Sequence, residues 1–257
     1  MRNWLVRLLR LAEQGIGVRA DRCLWCDGAI RRTAGPLPSI CARCAAEVPW
    51  IEDVRCAVCG RGEACPDCVR RPASASFIVA NRAAVRYTPF MKEWLARYKY
   101  RGSERLEPLF TEMAAIAFDR LRAVWDEGAD VYIVVTYVPL SERRLEERGF
   151  NQAETMARGI GRRFGLPVVP LLNRSRHTEK QSYKSRRERL ESLSNAFDVD
   201  EAEVDRLLEE VRGRSVRIVL TDDVYTTGST LHTCGEVLHR RFRNAANVRV
   251  YGITWAR

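Results

Sequence analysis

The sequence contains no long apolar run. Among its 257 residues, no stretch approaches the roughly 18 consecutive apolar residues that a membrane-spanning helix needs. The first ten residues are interrupted by Arg7 and Arg10, so they lack the apolar segment of a signal peptide. We therefore expect a cytoplasmic protein without membrane insertion, whose residues 1 to 14 form a short basic amphipathic helix packed on its own domain.

Several catalytic motifs are also missing. The sequence has no G-x4-G-K-[ST] phosphate loop and no H-E-x-x-H zinc motif. The segment Gly159-Ile160-Gly161 has Phe164 where a dinucleotide fingerprint needs a third small residue, and it lies within a helical pattern. There are only three histidines, and they do not form a ligand set. These absences argue against nucleotide hydrolases of the phosphate-loop type, H-E-x-x-H metalloproteases and dinucleotide-dependent oxidoreductases.

The composition is that of a folded, basic protein. Apolar residues make up 46% and aromatic residues 9%, enough to bury a sizeable core. Lysine and arginine number 43 against 33 aspartates and glutamates, which gives a formal charge of +10, and only four of the 43 are lysines. Such a charge favours anionic partners: nucleic acid, a membrane surface or phosphorylated small molecules.

Eight of the nine cysteines form four C-x2-C pairs. Two such pairs complete the tetrahedral sulfur shell that Zn²⁺ prefers. The alternative, a disulfide framework, fits poorly with a reducing cytoplasm. With all four ligands supplied by sulfur, each zinc would be structural rather than catalytic. The predicted ligands of two Zn²⁺ ions are Cys23, Cys26, Cys41, Cys44, Cys56, Cys59, Cys65 and Cys68.

The assignment of these pairs to two ions has more than one solution. The simplest is sequential, with the first two pairs on one ion and the last two on the other. An interleaved assignment, which joins the first pair to the third, stays open at this level. The ninth cysteine, Cys234, stands on an apolar stretch and is expected to be a buried core residue.

The pattern changes after residue 72. We expect residues 1–72 to hold the N-terminal helix and a double zinc ribbon, and residues 73–257 to form an α/β domain. Alternating strand and helix patterns there predict a parallel sheet flanked by helices, with a ligand site at the carboxyl ends of its strands. The predicted elements are a strand or hairpin at 77–87, strands at 131–138, 167–172, 216–221 and 247–254, and helices at 89–100, 107–124, 151–164 and 229–242.

The segment from Ile218 to Thr230 carries the chemistry. A buried strand ends in Asp222 and Asp223, and a turn of hydroxyl residues around Gly228 then opens a helix. Backbone N–H groups, hydroxyls and a helix N-terminus together cradle a phosphate. The carboxylates would repel that phosphate, so we expect them to face sugar hydroxyls. The alternative interpretation is a capped helix after a strand with two chance acidic residues.

This segment resembles the motif of the type I phosphoribosyltransferases, an apolar strand with two acidic residues followed by a Thr-Thr-Gly-x-Thr turn. Thr221 and Tyr225 stand where that motif usually has aliphatic residues. The resemblance implies that Asp222 and Asp223 hold the 2- and 3-hydroxyls of phosphoribosyl pyrophosphate. It also implies that the 5-phosphate is bound by Thr226, Thr227, Gly228, Ser229 and Thr230.

Other stretches are similar to a narrower group, the ComF family of competence-related phosphoribosyltransferase-like proteins. They are Val138-Pro139-Leu140 with the arginines that follow, Lys99-Tyr100-Arg101-Gly102, and the charged stretch from Arg174 to Phe197. A double zinc ribbon at the N-terminus completes the likeness, which covers nearly the whole chain. Membership implies a role in DNA uptake and recombination, with single-stranded DNA or proteins of those processes as partners.

The basic residues near the predicted site suggest further roles. Arg144 and Arg148 follow a central strand, and a guanidinium donates to two phosphate oxygens at once, so we expect them to bind pyrophosphate. Residues 174–191 resemble a mobile lid, in which Arg176 or Lys180 would contact the ligand. A solvated charged helix is the alternative for residues 185–192.

Two functions follow. One is a Mg²⁺-dependent phosphoribosyltransferase acting on an unidentified acceptor, with Mg²⁺ held mostly by phosphoribosyl pyrophosphate and water. The other is a non-catalytic sensor of that ligand, or a zinc-ribbon accessory protein that binds single-stranded DNA. Zinc modules also serve as dimer contacts, so a homodimer is a further expectation.

Zinc binding changes the charge distribution. Each zinc site with four cysteine ligands contributes a net −2, so two filled sites lower +10 to +6. Residues 1–72 hold twelve basic and eight acidic side chains and become close to neutral. The basic excess therefore lies in residues 73–257, which favours a site that closes on phosphates over a zinc module that grips DNA.

Overall fold

A computed structural model describes residues 22–30, 36–70, 77–100, 103–125, 130–174, 196–243 and 247–257. The predicted helix over residues 1–14 and nearly all of the predicted lid lie outside this part of the chain. The helices are α1 Ala42–Ala46, α2 Pro66–Arg70, α3 Pro89–Tyr98, α4 Glu107–Arg122, α5 Glu142–Arg148, α6 Gln152–Phe164, α7 Glu201–Val211 and α8 Ser229–Phe242. The strands are β1 Asn81–Val85, β2 Val131–Tyr137, β3 Leu172–Arg174, β4 Phe197–Val199, β5 Ser215–Val224 and β6 Val248–Ala256.

Four strands form one parallel sheet in the order β1-β6-β5-β2, which confirms the predicted parallel α/β architecture. The strands β3 and β4 form a separate antiparallel pair. The strand predicted at 167–172 is shorter than expected. Only Val168 bridges to the sheet, at Val135 of β2. Pro167 and Pro170 have no N–H to donate, so the segment cannot continue the ladder and turns away into β3.

Side-chain alternation along the strands gives the sheet two apolar faces. Val219 and Trp255 belong to one core cluster, with Phe110 of α4 and Met156 of α6. Ile218, Leu220 and Val250 belong to a second cluster, with residues of α7 and α8. Because successive residues of a strand point to opposite faces, both faces need helices to cover them. Cys234 of α8 is fully buried in the second cluster, as predicted.

Local sequence explains where the helices begin and end. Thr88 caps α3, since its side chain accepts a hydrogen bond from the Met91 N–H, and Pro89 occupies the first helical position. Asn151 caps α6 through the Ala153 N–H, and Gly165 ends that helix in the left-handed conformation. None of the helices in the described ranges is both long and apolar enough to cross a membrane.

The cysteine-rich segment packs against the sheet rather than standing apart from it. Trp50 forms an antiparallel bridge with Val85 of β1, where the Ile51 N–H donates to the Ala84 carbonyl at 3.1 Å. The segment therefore covers the edge of the sheet that β1 would otherwise expose. Nearer the N-terminus, Trp25 stacks on Trp94 of α3 with ring centroids 4.5 Å apart.

Replacement of Trp94 tests this packing. The side chain is fully buried between the cysteine-rich segment and the core, so Trp94→Ala is expected to lower the free energy of unfolding by about 3–5 kcal/mol. Urea denaturation followed by circular dichroism measures the change. Tyr100→Ala is the control, because that ring is 71% exposed and its loss should cost less than about 0.5 kcal/mol. Equal effects of the two changes would contradict the packing described.

Candidate functional site

The eight cysteines of the C-x2-C pairs meet in two groups of four. Within each group the sulfur atoms lie within 4.8 Å of one another, and every one of these cysteines is free of a disulfide. The first group is Cys23, Cys26, Cys41 and Cys44, and the second is Cys56, Cys59, Cys65 and Cys68. The sequential assignment therefore matches the structure and the interleaved one does not.

The geometry fits zinc. A tetrahedral site with Zn–S bonds of about 2.3 Å places its sulfur atoms about 3.8 Å apart. The sulfur atoms of Cys26 and Cys41 are 3.8 Å apart. A hydrogen bond from the Gly28 backbone lowers the pKa of Cys26 to about 6. At Cys65 burial acts to raise the pKa, but hydrogen bonds from the backbone of Cys68 and from the thiol of Cys59 bring it to about 7. Burial raises the pKa of Cys44, Cys59 and Cys68 in the same groups, so a bound cation would be needed to hold all four sulfurs of each group as thiolates.

The acidic pair lies within the last residues of the longest strand. The strand β5 continues through Val224, three residues beyond the predicted end, so Asp222 and Asp223 point to opposite faces of the sheet. Asp223 forms an ion pair with Lys99 at the end of α3. Asp222 lies on the other face, and its Oδ1 accepts a hydrogen bond of 2.8 Å from the backbone N–H of Asp223.

The two carboxyl groups differ in their electrostatics. Burial raises the pKa of Asp222 to about 8, and the charge of Asp223 acts in the same direction. Lys99 and Arg174 oppose the shift without cancelling it. The raised pKa disfavours the ionised form of Asp222, so a ligand that requires this form must offset the cost of ionising the buried carboxyl group.

The turn after β5 depends on Gly228. Its φ of +78° lies in the left-handed region, and a Cβ there would stand 2.2 Å from the ring of Tyr225. The helix α8 begins at the next residue. The hydroxyls of Thr227 and Ser229 lie 3.0 Å apart, and the Ser229 N–H points to Thr227 Oγ1 at 3.4 Å. Hydroxyls and N–H groups are thus gathered at a helix N-terminus, where anions bind favourably.

The two departures from the transferase motif have structural reasons. Thr221 is buried, and its hydroxyl lies 2.9 Å from the carbonyl of Ala153 and 3.1 Å from that of Thr136, so it ties β5 to α6 and β2. The Tyr225 side chain is 3% exposed, and its Oη lies 3.4 Å from Nε2 of His232. Each residue fills a buried position that an aliphatic side chain would otherwise occupy, and each hydroxyl has a polar partner there.

A cavity of about 850 Å³ opens at this edge of the sheet. Six of the predicted ligand-binding residues line it: Arg144, Arg148, Asp222, Asp223, Thr226 and Thr230. The middle of the turn, from Thr227 to Ser229, is not among the described residues that line it.

The two predicted pyrophosphate-binding arginines lie on the helix α5, which is not among the helices that the sequence pattern predicts. Arg148 is half-buried and donates to Gln152 Oε1 at 2.7 Å, whereas Arg144 is exposed. Arg176 and Lys180 lie outside the described residues, so the structure does not place the predicted contacts of the lid.

Three cationic residues of this cavity are absent from the predicted site, namely Lys99, Arg143 and Arg174. Two of them, Lys99 and Arg174, act on the acidic pair. Lys99 reaches Asp223 from the end of α3, and Arg174 lines the cavity from β3. The guanidinium of Arg174 packs over the ring of Phe197 at 5.2 Å, and burial lowers its pKa. Among the described residues, none accepts a hydrogen bond from its buried Nε. The sequence contained a signal for both, since each begins a stretch similar to the ComF family.

A second cavity of about 510 Å³ adjoins the first. Tyr87 and Thr226 line both cavities. Arg61, Gly62 and Glu63, which lie between cysteines of the second group, form one wall of the second cavity, and Arg257 contributes to another. The second cysteine group is therefore part of the surroundings of the candidate site.

Fold and site together define a class: an α/β protein with two modules of four cysteines each and a cavity lined by acidic and basic side chains at the carboxyl edge of a parallel sheet. The chain is 30% identical over 250 residues to the competence protein ComFC of Bacillus subtilis strain 168, covering 91% of this chain and 95% of that protein. It therefore belongs to the ComF family.

Other comparisons agree on the family or add nothing to it. The chain is 24% identical to competence protein F of Haemophilus influenzae over 91% of this chain and 97% of that protein. It is 28% identical to the DNA utilization protein YhgH of Escherichia coli K12, over 84% of this chain and 96% of that protein. No family model matches the sequence. A solved structure titled the allosteric regulatory enzyme of purine biosynthesis is 18% identical in sequence, with a TM-score of 0.28. The match covers 55% of this chain and 25% of that chain. This likeness is too weak to support any conclusion about fold or function.

The cysteine groups predict the metal content. We expect two zinc ions per chain, measured by elemental analysis of the purified protein. Cys56→Ser removes one ligand of the second group and should leave one ion. Cys234→Ser is the control and should leave two, because Cys234 belongs to neither group. A chain without zinc, or with its thiols paired as disulfides, would contradict the assignment.

The raised pKa of Asp222 predicts a pH-dependent stability. A group whose pKa is higher in the folded protein stabilises it fully below the pKa of the unfolded chain, and that contribution is lost as pH rises through the folded value. The wild type should therefore lose stability relative to Asp222→Asn between about pH 4 and pH 8. Since one unit of pKa shift corresponds to about 1.4 kcal/mol, the variant should be more stable at pH 8, by up to about 5 kcal/mol.

Urea denaturation at pH 5 and pH 8 measures this difference. The control is Asp223→Asn, which removes the ion pair with Lys99 and should bring no gain at pH 8. An Asp222→Asn variant that is less stable than the wild type at pH 8 would show that the carboxylate has a favourable partner in the folded chain.

Proposed function

We propose that this ComF-family chain binds phosphoribosyl pyrophosphate and is a Mg²⁺-dependent phosphoribosyltransferase. The observation that supports this most is the content of one cavity, in which the acidic pair, residues of the threonine turn and several arginines stand together. A sugar that carries a phosphate at one end and pyrophosphate at the other needs acceptors for its hydroxyls and donors for both anions. The residues that line the cavity include both kinds of group.

The acidic pair would bind the ribose. Ionised carboxylates accept hydrogen bonds from the 2- and 3-hydroxyls, and they cannot approach a phosphate closely. Lys99 holds Asp223 in place through their ion pair. The turn from Thr226 to Thr230 would bind the 5-phosphate with backbone N–H groups, hydroxyls and the N-terminus of α8.

Arginines on two elements would bind the pyrophosphate. Arg144 and Arg148 of α5 line the same cavity as Arg174 of β3. Their guanidinium groups donate to phosphate oxygens in pairs and would stabilise the negative charge that develops as pyrophosphate leaves. Arg176 and Lys180 are expected to add further donors from residues that follow β3.

Mg²⁺ is expected to bind together with the ligand. Among the described residues that line the cavity, the carboxylates are Glu147, Asp222 and Asp223, and oxygen donors of this kind suit a hard cation. When bound, the ion would neutralise charge on the pyrophosphate. The side chains of the protein would orient the sugar and exclude water from its anomeric carbon.

The transfer would be a displacement at the anomeric carbon by an unidentified acceptor. A nitrogen of the acceptor would form a bond to the anomeric carbon as the bond from that carbon to the pyrophosphate oxygen breaks. The electron pair of the broken bond leaves with pyrophosphate, and the acceptor nitrogen loses its proton to water.

The names of the relatives support a second function. Proteins described as competence and DNA utilization proteins are similar to this chain over most of their lengths. The alternative is therefore a non-catalytic sensor of phosphoribosyl pyrophosphate, or an accessory protein that binds single-stranded DNA during DNA uptake. Its zinc modules would then serve as the contact with DNA or with partner proteins.

Calorimetry and pyrophosphate release together test the proposal. We expect phosphoribosyl pyrophosphate to bind in the presence of Mg²⁺, and one of a panel of bases and amines to cause release of pyrophosphate. Asp222→Asn combined with Asp223→Asn should abolish binding without unfolding the chain. Asp198→Asn is the matched control, since that carboxylate is not among the described residues that line either cavity.

The outcomes separate the candidates. Binding without release by any acceptor supports the sensor and contradicts the transferase. Unchanged affinity in the double variant would show that the site assignment is wrong. No binding by the wild type would contradict both functions that involve this ligand, and single-stranded DNA binding measured by fluorescence anisotropy would then test the remaining one.

A further inference from the structure

Arg257 connects the second cysteine group to the threonine turn. The residue is 9% exposed. Its Nη2 donates to Cys65 Sγ at 3.5 Å. Its Nη1 donates to the carbonyls of Tyr225 and Thr226, at 3.1 Å and 2.6 Å. A single guanidinium therefore contacts a predicted zinc ligand, Thr226 at the start of the candidate phosphate site, and Tyr225 immediately before it.

The backbone around Arg257 holds this side chain in place. Its N–H donates to the Val85 carbonyl at 2.9 Å, and its own carbonyl accepts from the Tyr87 N–H at 3.0 Å. The Tyr225 N–H donates to the carbonyl of Ala256 at 3.0 Å. The residue is thus fixed between β1 and the turn, and the planar guanidinium has little freedom to find other partners.

The contact extends through Tyr225 to the centre of the turn. The guanidinium lies over the Tyr225 ring, 4.7 Å from its centroid. The same ring lies where a Cβ on Gly228 would be, at 2.2 Å. The Tyr225 ring therefore packs directly against the backbone at Gly228. A shift of this ring would move that backbone and change the direction of the N–H groups that would face a phosphate.

A zinc-bound sulfur is a thiolate, and it accepts a stronger hydrogen bond from a guanidinium than a neutral thiol does. We propose that Arg257 is a positioning residue that couples occupancy of the second zinc site to the conformation of the phosphate-binding turn. Zinc at this site fixes the guanidinium, and the guanidinium fixes the turn through two carbonyls and the Tyr225 ring. This inference rests on the proposed function, because the turn is taken to bind the ligand's 5-phosphate.

A matched control exists in the same contact region. Arg82 also joins the second cysteine group to the sheet, since its Nη1 donates to the Ala57 carbonyl at 2.8 Å and to the Asn81 carbonyl at 2.7 Å. It is as buried as Arg257, at 5% exposure, but it is not among the described residues that line either cavity. Replacement of Arg82 therefore weakens the attachment of the second cysteine group to the sheet, but it removes no contact with the threonine turn.

The first experiment needs no ligand. Hydrogen exchange, read by mass spectrometry on peptides covering residues 225–230, measures protection of the turn in the zinc-loaded chain. Arg257→Gln should exchange about tenfold faster there than the wild type, and so should Cys56→Ser, which empties the second zinc site. Arg82→Gln should leave the exchange of these peptides unchanged. Unchanged exchange in Arg257→Gln would overturn the coupling.

The second experiment is a double-mutant cycle on ligand affinity. Calorimetry with phosphoribosyl pyrophosphate and Mg²⁺ should show about tenfold weaker binding for Arg257→Gln and for Cys56→Ser, and no further weakening when the two are combined. Elemental analysis must show that Arg257→Gln retains both zinc ions. Effects that multiply in the double variant would overturn the coupling.

A third variant covers the case in which Arg257→Gln fails to fold. Arg257→Lys keeps the charge but not the fork of donors, so it should retain zinc and show the same faster exchange. Exchange like that of the wild type in Arg257→Lys would contradict the proposal. If the wild type fails to bind the ligand while the exchange results hold, the proposed function is wrong and the coupling between zinc site and turn stands.

Discussion

Two adjacent carboxyl groups at the end of β5 are the constraint on which the rest of the site depends. Their side chains point to opposite faces of the sheet, so each face must supply its own cation. Lys99 comes from α3 on one side and Arg174 from β3 on the other. The elements that cover the two faces of the sheet therefore bury its core and also supply the cations that face the acidic pair. Asp222 remains costly to ionise, because the two cations oppose the effect of its burial without cancelling it.

The two cysteine-rich modules pack on the sheet and its helices so that the second one lies next to the candidate site. They pack against β1 and α3, and the second module forms one wall of the cavity beside the threonine turn. A structural metal in a small module is usually explained by the lack of an apolar core. In this chain the second module also forms a wall beside the candidate site, so the shape of that site depends on the folding of the module.

Local patterns in the sequence were enough to predict some features. Helix α8 begins and ends where its periodicity indicated, and the cysteine spacing predicted both sulfur groups. Predictions failed where distant residues decide the outcome. The strand β5 runs through the acidic pair because β6 pairs with it as far as Val224, and the segment after Pro167 leaves the sheet because prolines interrupt its donors. The roles of Lys99 and Arg257 depend on contacts with residues that are far away along the chain. Patterns of residue spacing in the sequence do not predict such contacts.

The antiparallel bridge between Trp50 and Val85 has a consequence for the assembly of the protein. An uncovered parallel edge strand is a template on which other chains add strands and aggregate. With the cysteine-rich segment in place, that edge is closed, so a homodimer cannot form by continuing the sheet through β1. A chain that lost its zinc and released this segment would expose β1 as a template for self-association.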